Sequence, residues 1–383
     1  MNRARAVRGR QGTTSGDYVT GTRTYASSID SGIANLKADY CYDACFNGGR
    51  PILVIMHGYG EDITAIIHAH RWRFARRGFF VLIVAMRGRS GASGSRDASG
   101  REVQDIVDAV EDVRADPTLT LLVDAQRVAI CGYSGGGANA LAALAKAPDF
   151  WSYAAAHFAP SDYGWRSDSG WYYTDPSIQA ALTTDVGATP SAQPGWWRSR
   201  NHADALGYQL ALAPRRKLLS LYHDADDPTV DVAQSDRVKT ALDDAGLTGL
   251  YEYQRSTSAS STRYYHGYPS DHVELELAEE DWWERALNAD AWSVPFSGSV
   301  LVSGWLRTKL FSVWLGLTSG GANPKTDASG GKVHVARVTY TIDAGRLGGS
   351  FNVLPLTGSV RARIEVGAST STSDITGPIT VTI

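Results

Sequence analysis

The 383-residue chain has only three cysteines, too few for the disulfide framework of a small secreted scaffold. Cys41 and Cys45 lie four apart and suit either a pair or two free thiols, while Cys131 closes an apolar run as a small hydrophobe. Long hydrophobic runs are also lacking. None approaches the roughly eighteen apolar residues that would cross a bilayer, so no membrane partner is expected. The cluster Arg3, Arg5, Arg8 and Arg10 is not followed by an apolar stretch. A secretory signal is therefore not expected, and the localisation reads as cytoplasmic or particle-associated. Residues 1–16 read instead as a solvated, disordered basic tail. The formal net charge is −3, which gives no electrostatic footprint for nucleic acid. No set of His, Cys, Asp and Glu has metal-ligand spacing, and neither a metal nor a cofactor is expected. What is present, 43% hydrophobic and 20% charged residues, describes an ordinary globular chain. Its length points to a core domain plus something smaller.

The most informative stretch is Gln126 to Gly137, Q-R-V-A-I-C-G-Y-S-G-G-G, which holds the G-x-S-x-G pattern at Gly132, Tyr133, Ser134, Gly135 and Gly136. That pattern carries chemistry only on a sharp turn between a buried strand and a helix. Val128 to Ile130 supply a short apolar strand, and the Ala/Leu-rich run from Ala138 to Lys146 supplies a helix that stops before Pro148. Ser134 is thus a candidate nucleophile.

The surrounding order is that of strands alternating with helices. Tyr18 to Tyr25 and Leu36 to Tyr42 alternate like edge strands, and Pro51 to Met56 and Phe79 to Met86 read as parallel strands buried on both faces. Ile63 to Arg77 supplies the crossover helix between them. Ser99 or Asp97 caps a helix whose apolar face is Val103, Ile106, Val107, Val110 and Val113. Further strands are expected at Tyr153 to Phe158, Lys217 to Tyr222 and Leu250 to Tyr253, with helices at Asp231 to Ala245 and Leu275 to Leu287. The fold class is α/β, a doubly wound, mainly parallel sheet. Its chemistry belongs at the carboxyl ends of the strands.

A serine hydroxyl needs a base to take its proton and a third group to orient the base. In this architecture both follow the serine, acid first. The strand ending at Tyr222 opens into His223-Asp-Ala-Asp-Asp-Pro-Thr-Val230. This resembles the H-G-x-x-D-x-x-V acid loop of α/β-hydrolases of the esterase and prolyl-oligopeptidase branch, with Asp224 in place of glycine. The match puts the acid on Asp227; Asp224 and Asp226 are rivals that otherwise read as turn formers. Downstream, His266-Gly267-Tyr268 resembles the H-G-F that carries the base in the oligopeptidase-like branch, and His272 in Asp271-His272-Val273 is its rival. A loop tip can bring a base within hydrogen-bond reach of the nucleophile, which favours His266. His57-Gly58-Tyr59-Gly60 resembles the H-G-x-G oxyanion loop, so backbone N–H groups of Tyr59 and Gly135 are the expected donors, with His57 structural. Arg87-Gly-Arg-Ser-Gly91 resembles a structural loop of acyl-peptidase relatives.

The resemblance spans approximately Asp17 to Trp292, taken as an α/β-hydrolase catalytic domain over 17–292. It implies a serine hydrolase acting through an acyl-enzyme. Residues 161–214 occupy the place of a lid and carry Trp165, Trp171, Trp196 and Trp197. Together with Tyr133 these are candidate substrate-lining residues, although such a lid can equally pack on itself. From residue 295 to 383 alternating runs separated by Gly, Ser, Thr and Asn turns read as a small all-β sandwich or barrel, an accessory domain. Such an appendage suits glycan binding, homo-oligomer formation or attachment to a larger particle such as a phage tail. The expected activity is a carboxylesterase, for instance an acetyl esterase on a glycan, with a small-molecule or glycan ester as substrate. The large propeller that restricts substrates in the oligopeptidases has no counterpart in these residues, which makes a serine peptidase the alternative. A catalytically dead hydrolase fold serving as a binding or structural module is the alternative from another class.

Overall fold

The computed structural model describes residues 17–383 apart from 47, 65, 261–265, 267–281, 317, 319–323, 325–334, 344 and 346–347. Residues 18–256 carry an eight-stranded sheet. The strands are β1 (Tyr18–Tyr25), β2 (Leu36–Asp43), β3 (Arg50–Met56), β4 (Phe80–Val84), β5 (Val123–Tyr133), β6 (Tyr153–His157), β7 (Leu219–Asp224) and β8 (Tyr251–Ser256). They lie in the order β1-β2-β4-β3-β5-β6-β7-β8. β1 and β2 are antiparallel to their neighbours, and every pairing from β4 to β8 is parallel. Every residue of β3, β4, β6 and β7 is buried, as expected of parallel strands covered by helices on both faces.

The covering helices are α1 (Ile66–Ala75), α2 (Glu102–Ala115), α3 (Gly135–Lys146), four lid helices α4 (Trp171–Thr174), α5 (Gln179–Val186), α6 (Pro194–Arg198) and α7 (His202–Leu210), and then α8 (Ala233–Asp244). The five apolar positions expected on α2 are all buried. Its start is held by Asp97, whose carboxylate accepts the Arg101 N–H at 2.7 Å. Ser99 uses its hydroxyl elsewhere, on Asn139 and Tyr163. α3 is buried along its entire length, which explains why it is made largely of alanine and glycine. Residues 282–288 are helical; most of the helix expected from Leu275 lies outside the described residues.

The C-terminal region forms a second eight-stranded sheet, antiparallel throughout. Its strands are β9 (Ser297–Ser303), β10 (Trp305–Arg307), β11 (Ser312–Gly316), β12 (Val335–Ile342), β13 (Gly349–Pro355), β14 (Val360–Val366), β15 (Ser369–Ile375) and β16 (Ile379–Thr382). The order is β15-β14-β11-β10-β9-β12-β13-β16, one hydrogen-bonded sheet whose two edge strands approach each other. The sequence pattern does not announce the strands at 349–355 and 369–375. Ser369–Ile375 is a run of Ser and Thr with one buried residue, Ile375, because an edge strand needs little apolar surface and so gives no period-two signal.

The two sheets share one continuous apolar core. Gln209 on α7 donates to the carbonyls of Ala145 at 2.7 Å and Leu301 at 2.8 Å. The Asp149 carboxylate accepts N–H groups of Val294 and Lys309. Cys41, Cys45 and Cys131 form no disulfide. Among the described residues no helix is long and apolar enough to cross a membrane.

Candidate active site

β5 ends at Tyr133, and the backbone then turns sharply into α3 through Ser134. That serine has φ 54° and ψ −124°, a strained conformation for a residue with a side chain and one that persists only where the surroundings enforce it. Two backbone bonds do so here. Ser134 N–H donates to His157 O at 3.0 Å, and Ala138 N–H donates to Ser134 O at 3.0 Å. The glycines beside it are required by contact. A Cβ on Gly136 would overlap the carbonyl oxygens of Met56 and His57, and one on Gly135 would lie 2.8 Å from Tyr59 N. The oxyanion loop therefore presses directly on the elbow, and the backbone of Tyr59 and that of Gly135 are neighbours.

His57 is fully buried in that loop. Its Nδ1–H donates to Gly58 O at 2.9 Å, and its Nε2 accepts Met86 N–H at 3.2 Å. Burial pushes its pKa down to about 4, so it stays neutral and both nitrogens are committed to the backbone. Tyr59 is clamped more firmly than its motif suggests. Its phenol donates to the Asp185 carboxylate on α5, and the Arg89 guanidinium donates to its carbonyl.

On the far side of the elbow, β7 leads into the acid loop. The Asp227 side chain has no solvent exposure and accepts the N–H groups of Thr229 and Val230 at 2.8 and 2.9 Å. It also accepts from His266, whose Nδ1 lies 3.0 Å from both carboxylate oxygens and whose backbone N–H is 3.0 Å from Oδ2. Burial raises its pKa, but the His266 hydrogen bond and charge together with the two backbone N–H groups outweigh this, and the carboxyl is held below its ordinary value. The rivals serve the loop itself. Asp224 accepts Asp226 N–H at 2.9 Å and the Ser256 hydroxyl at 2.6 Å, and Asp226 accepts Ser258 N–H at 3.1 Å.

The other ring nitrogen of His266, Nε2, is buried with no hydrogen-bond partner among the described residues. Its ring stands edge-on to Phe158 at 4.6 Å. Phe158 directly follows the His157 whose carbonyl receives the Ser134 N–H. His266 and Ser134 are thus gathered at the ends of β5, β6 and β7. His272 lies outside the described residues.

The aromatic candidates divide. Trp171 and Trp197 are 1% and 0% exposed and donate their indole N–H groups to Thr229 O at 3.1 Å and Ala188 O at 3.0 Å. They form a small core with Tyr59, Tyr163, Leu182, Val186 and Val230. These two are corrected from substrate lining to lid core, because their faces and polar edges are used internally. Trp196 packs against the same core. Tyr133 stacks on His157 at 4.5 Å, which in turn stacks on Tyr222 at 4.6 Å, so its ring belongs to the layer beneath the elbow. Trp165 alone of the set is 36% exposed, with the Arg198 guanidinium 5.2 Å from its ring centre. Arg87, in the loop after β4, is a structural residue that forms a buried pair with Asp105 at 2.6 and 2.8 Å. Asp185 carries no motif of its own, and nothing in the Arg87–Gly91 stretch marks Arg89 as a partner of Tyr59.

The fold recurs in solved structures. An acylaminoacyl peptidase of Pyrococcus horikoshii aligns at 17% identity with a TM-score of 0.55, covering 73% of this chain and 43% of that one. A puromycin hydrolase aligns at 18% identity and TM-score 0.53, covering 73% and 40%. A puromycin-hydrolyzing peptidase of Mycobacterium tuberculosis aligns at 22% identity and TM-score 0.53, covering 70% and 40%. The chain therefore spans less than half the length of these proteins. No curated protein matches it in sequence. The model of the prolyl oligopeptidase family matches residues 68–290, more than half the chain and all of the segment from the elbow through the acid loop to His266. The chain belongs to the prolyl oligopeptidase family, within the α/β-hydrolase superfamily of serine hydrolases.

Proposed function

We propose that the protein is a serine peptidase acting on amide bonds of short peptides or acyl-amino compounds, with Ser134 as nucleophile, His266 as base and Asp227 as its orienting acid. The observation that carries this reading is the shared contact of His266 Nδ1 with both oxygens of a buried Asp227, which fixes the tautomer with Nε2 free to accept a proton. Ser134 Oγ attacks the carbonyl carbon while its proton passes to Nε2. The oxyanion that forms is met by the N–H groups of Tyr59 and Gly135. Nε2–H then gives its proton to the departing nitrogen, the C–N bond breaks, and an amine leaves. Water, deprotonated by the same nitrogen, releases the acyl group and restores the serine.

An amide makes heavier demands on this arrangement than an ester, since an amine leaves only when protonated. A base anchored by a buried carboxylate suits that demand. Membership of the prolyl oligopeptidase family and neighbours described as acylaminoacyl peptidase and puromycin-hydrolyzing peptidase support the peptidase over the carboxylesterase expected from sequence. A fluorophosphonate probe should label the wild type and not Ser134→Ala. The unlabelled wild type should then turn over aminoacyl and N-acyl-aminoacyl nitroanilides, and prior labelling should abolish that turnover. Turnover of short-chain nitrophenyl esters without any amide cleavage would restore the esterase reading. Failure to label folded wild type would remove the enzymatic one.

A further inference from the structure

The oxyanion loop follows β3 and the acid loop follows β7, and two strands, β5 and β6, lie between them in the sheet. The sheet fixes the ends of these strands through the ladder β3-β5-β6-β7, but no ladder hydrogen bond reaches the side chains of the two loops beyond them. The lid insertion reaches both. Trp171 stands with its ring edge-on to Tyr59, centroids 5.6 Å apart at 85°. The same indole donates its N–H to Thr229 O at 3.1 Å, and Thr229 N–H donates to Asp227 Oδ1 at 2.8 Å. From α5, Asp185 accepts the Tyr59 phenol. Burial and that hydrogen bond push the phenol's pKa well above its usual value, so it remains a donor at any working pH. An unbroken series of contacts thus runs from Asp185 through Tyr59 and Trp171 to Thr229, Asp227 and His266.

We infer that Trp171 and Asp185 are positioning residues, and that the lid acts as a brace which sets the oxyanion loop and the acid loop at a fixed separation. The inference rests on the catalytic roles proposed for Ser134, Asp227, His266 and Tyr59. The Tyr59 N–H is useful only if its peptide plane points at the developing oxyanion, and misplacing such a group by about 1 Å can cost on the order of 100-fold in rate. Gly135 packs against the Tyr59 backbone, Arg89 engages its carbonyl, the Asp185 carboxylate fixes the far end of its side chain and Trp171 stands edge-on to its ring. The first two of these contacts come from the catalytic core and the last two from the lid. The acid loop receives its lid contact through Thr229 O. Neither Trp171 nor Asp185 offers a face to substrate, with the indole 1% exposed and the Asp185 side chain 9% exposed.

The test uses the full chain and compares Asp185→Ala, Asp185→Asn and Trp171→Phe with wild type. Asparagine still offers an oxygen to the phenol, and phenylalanine keeps the ring but deletes the N–H to Thr229. Asp185→Ala should lower kcat by about 10- to 100-fold at nearly constant KM and slow fluorophosphonate labelling in proportion, as loss of an oriented oxyanion donor does. Asp185→Asn should recover most of that loss. Trp171→Phe should lower kcat about 5- to 10-fold and shift the acid limb of the kcat/KM profile, because the support of Asp227 is loosened. A rise in KM at unchanged kcat would overturn the inference and make these residues pocket lining. Wild-type kcat, labelling rate and pH profile in all three variants would also overturn it. Either result with Ser134-dependent labelling intact defeats the brace alone, whereas wild type that fails to label defeats the catalytic reading beneath it.

Discussion

Among single residues, Asp227 does the most with the least exposure. Among the described residues its carboxylate accepts from the Thr229 and Val230 N–H groups and from the backbone N–H and ring Nδ1 of His266, and its side chain has no solvent exposure. Asp227→Asn should keep the shape and lose the tautomer control, lowering kcat by about four orders of magnitude. His266→Ala should do at least as much, and the two changes combined should cost little more than one, since residues of a triad act as a unit. Steady-state turnover by the three variants checks this; additive losses would show that His266 acts without Asp227. The sequence made both residues legible because each sits in a short motif with its own backbone demands. Ser134 was legible for the same reason, its strained turn needing glycine on both sides. Asp185 had no such mark. A carboxylate whose partner lies 126 positions away is visible only once the chain is folded.

At the scale of elements, the loop after β4 and the start of α2 are joined by the Arg87–Asp105 pair, whose side chains are 4% and 1% exposed. Burial pushes the Asp105 carboxyl upward while the Arg87 hydrogen bonds and charge pull it back. Removing the guanidinium leaves a buried carboxylate without its counter-charge. Arg87→Met should therefore destabilise the protein by about 3–5 kcal/mol at pH 7. The loss should shrink at pH 5, where Asp105 can take up a proton in the variant, and denaturant midpoints at the two pH values measure the difference. Equal losses at both would mean that packing rather than charge holds the loop. The strands and helices of this sheet were legible because buried parallel strands read as unbroken apolar runs. The lid helices were not. They are short, four to nine residues. α4, α5 and α6 are held by tryptophans packing into a small core of their own, while α7 packs into the main core. Isolated caps such as Gly187 after α5 and Asn201 before α7 have too little helical period beside them to announce a helix.

For the whole molecule, the decisive contact is at the end of α3, the helix that begins directly after Ser134. Lys146 is its last residue and is fully buried. Its side-chain nitrogen donates to Ser303 O on β9 and lies 5.7 Å from the centre of the Trp305 ring on β10. The second sheet is thus docked against the far end of the element that carries Ser134, which a change in composition near residue 295 could not reveal. Burial, helped by the nearby Arg200 charge, lowers the Lys146 pKa to about 7, against about 10.4 for an ordinary lysine. Between these two values the unfolded chain holds a proton that the folded one has released, so stability rises with pH across that window. Below pH 7 the cost of a buried charge is present in full. Lys146→Met removes it, a gain of at most about 1.4 kcal/mol for each pH unit that separates the folded and unfolded pKa values. Leaving Ser303 O without its donor offsets that gain by about 1–3 kcal/mol. The difference between pH values is free of that offset. Lys146→Met should therefore raise Tm relative to wild type more at pH 6 than at pH 10, with both forms compared by calorimetry. A pH-independent difference would show that the lysine stays charged in the folded protein and that the seam between the two sheets contains water or a counter-ion around it.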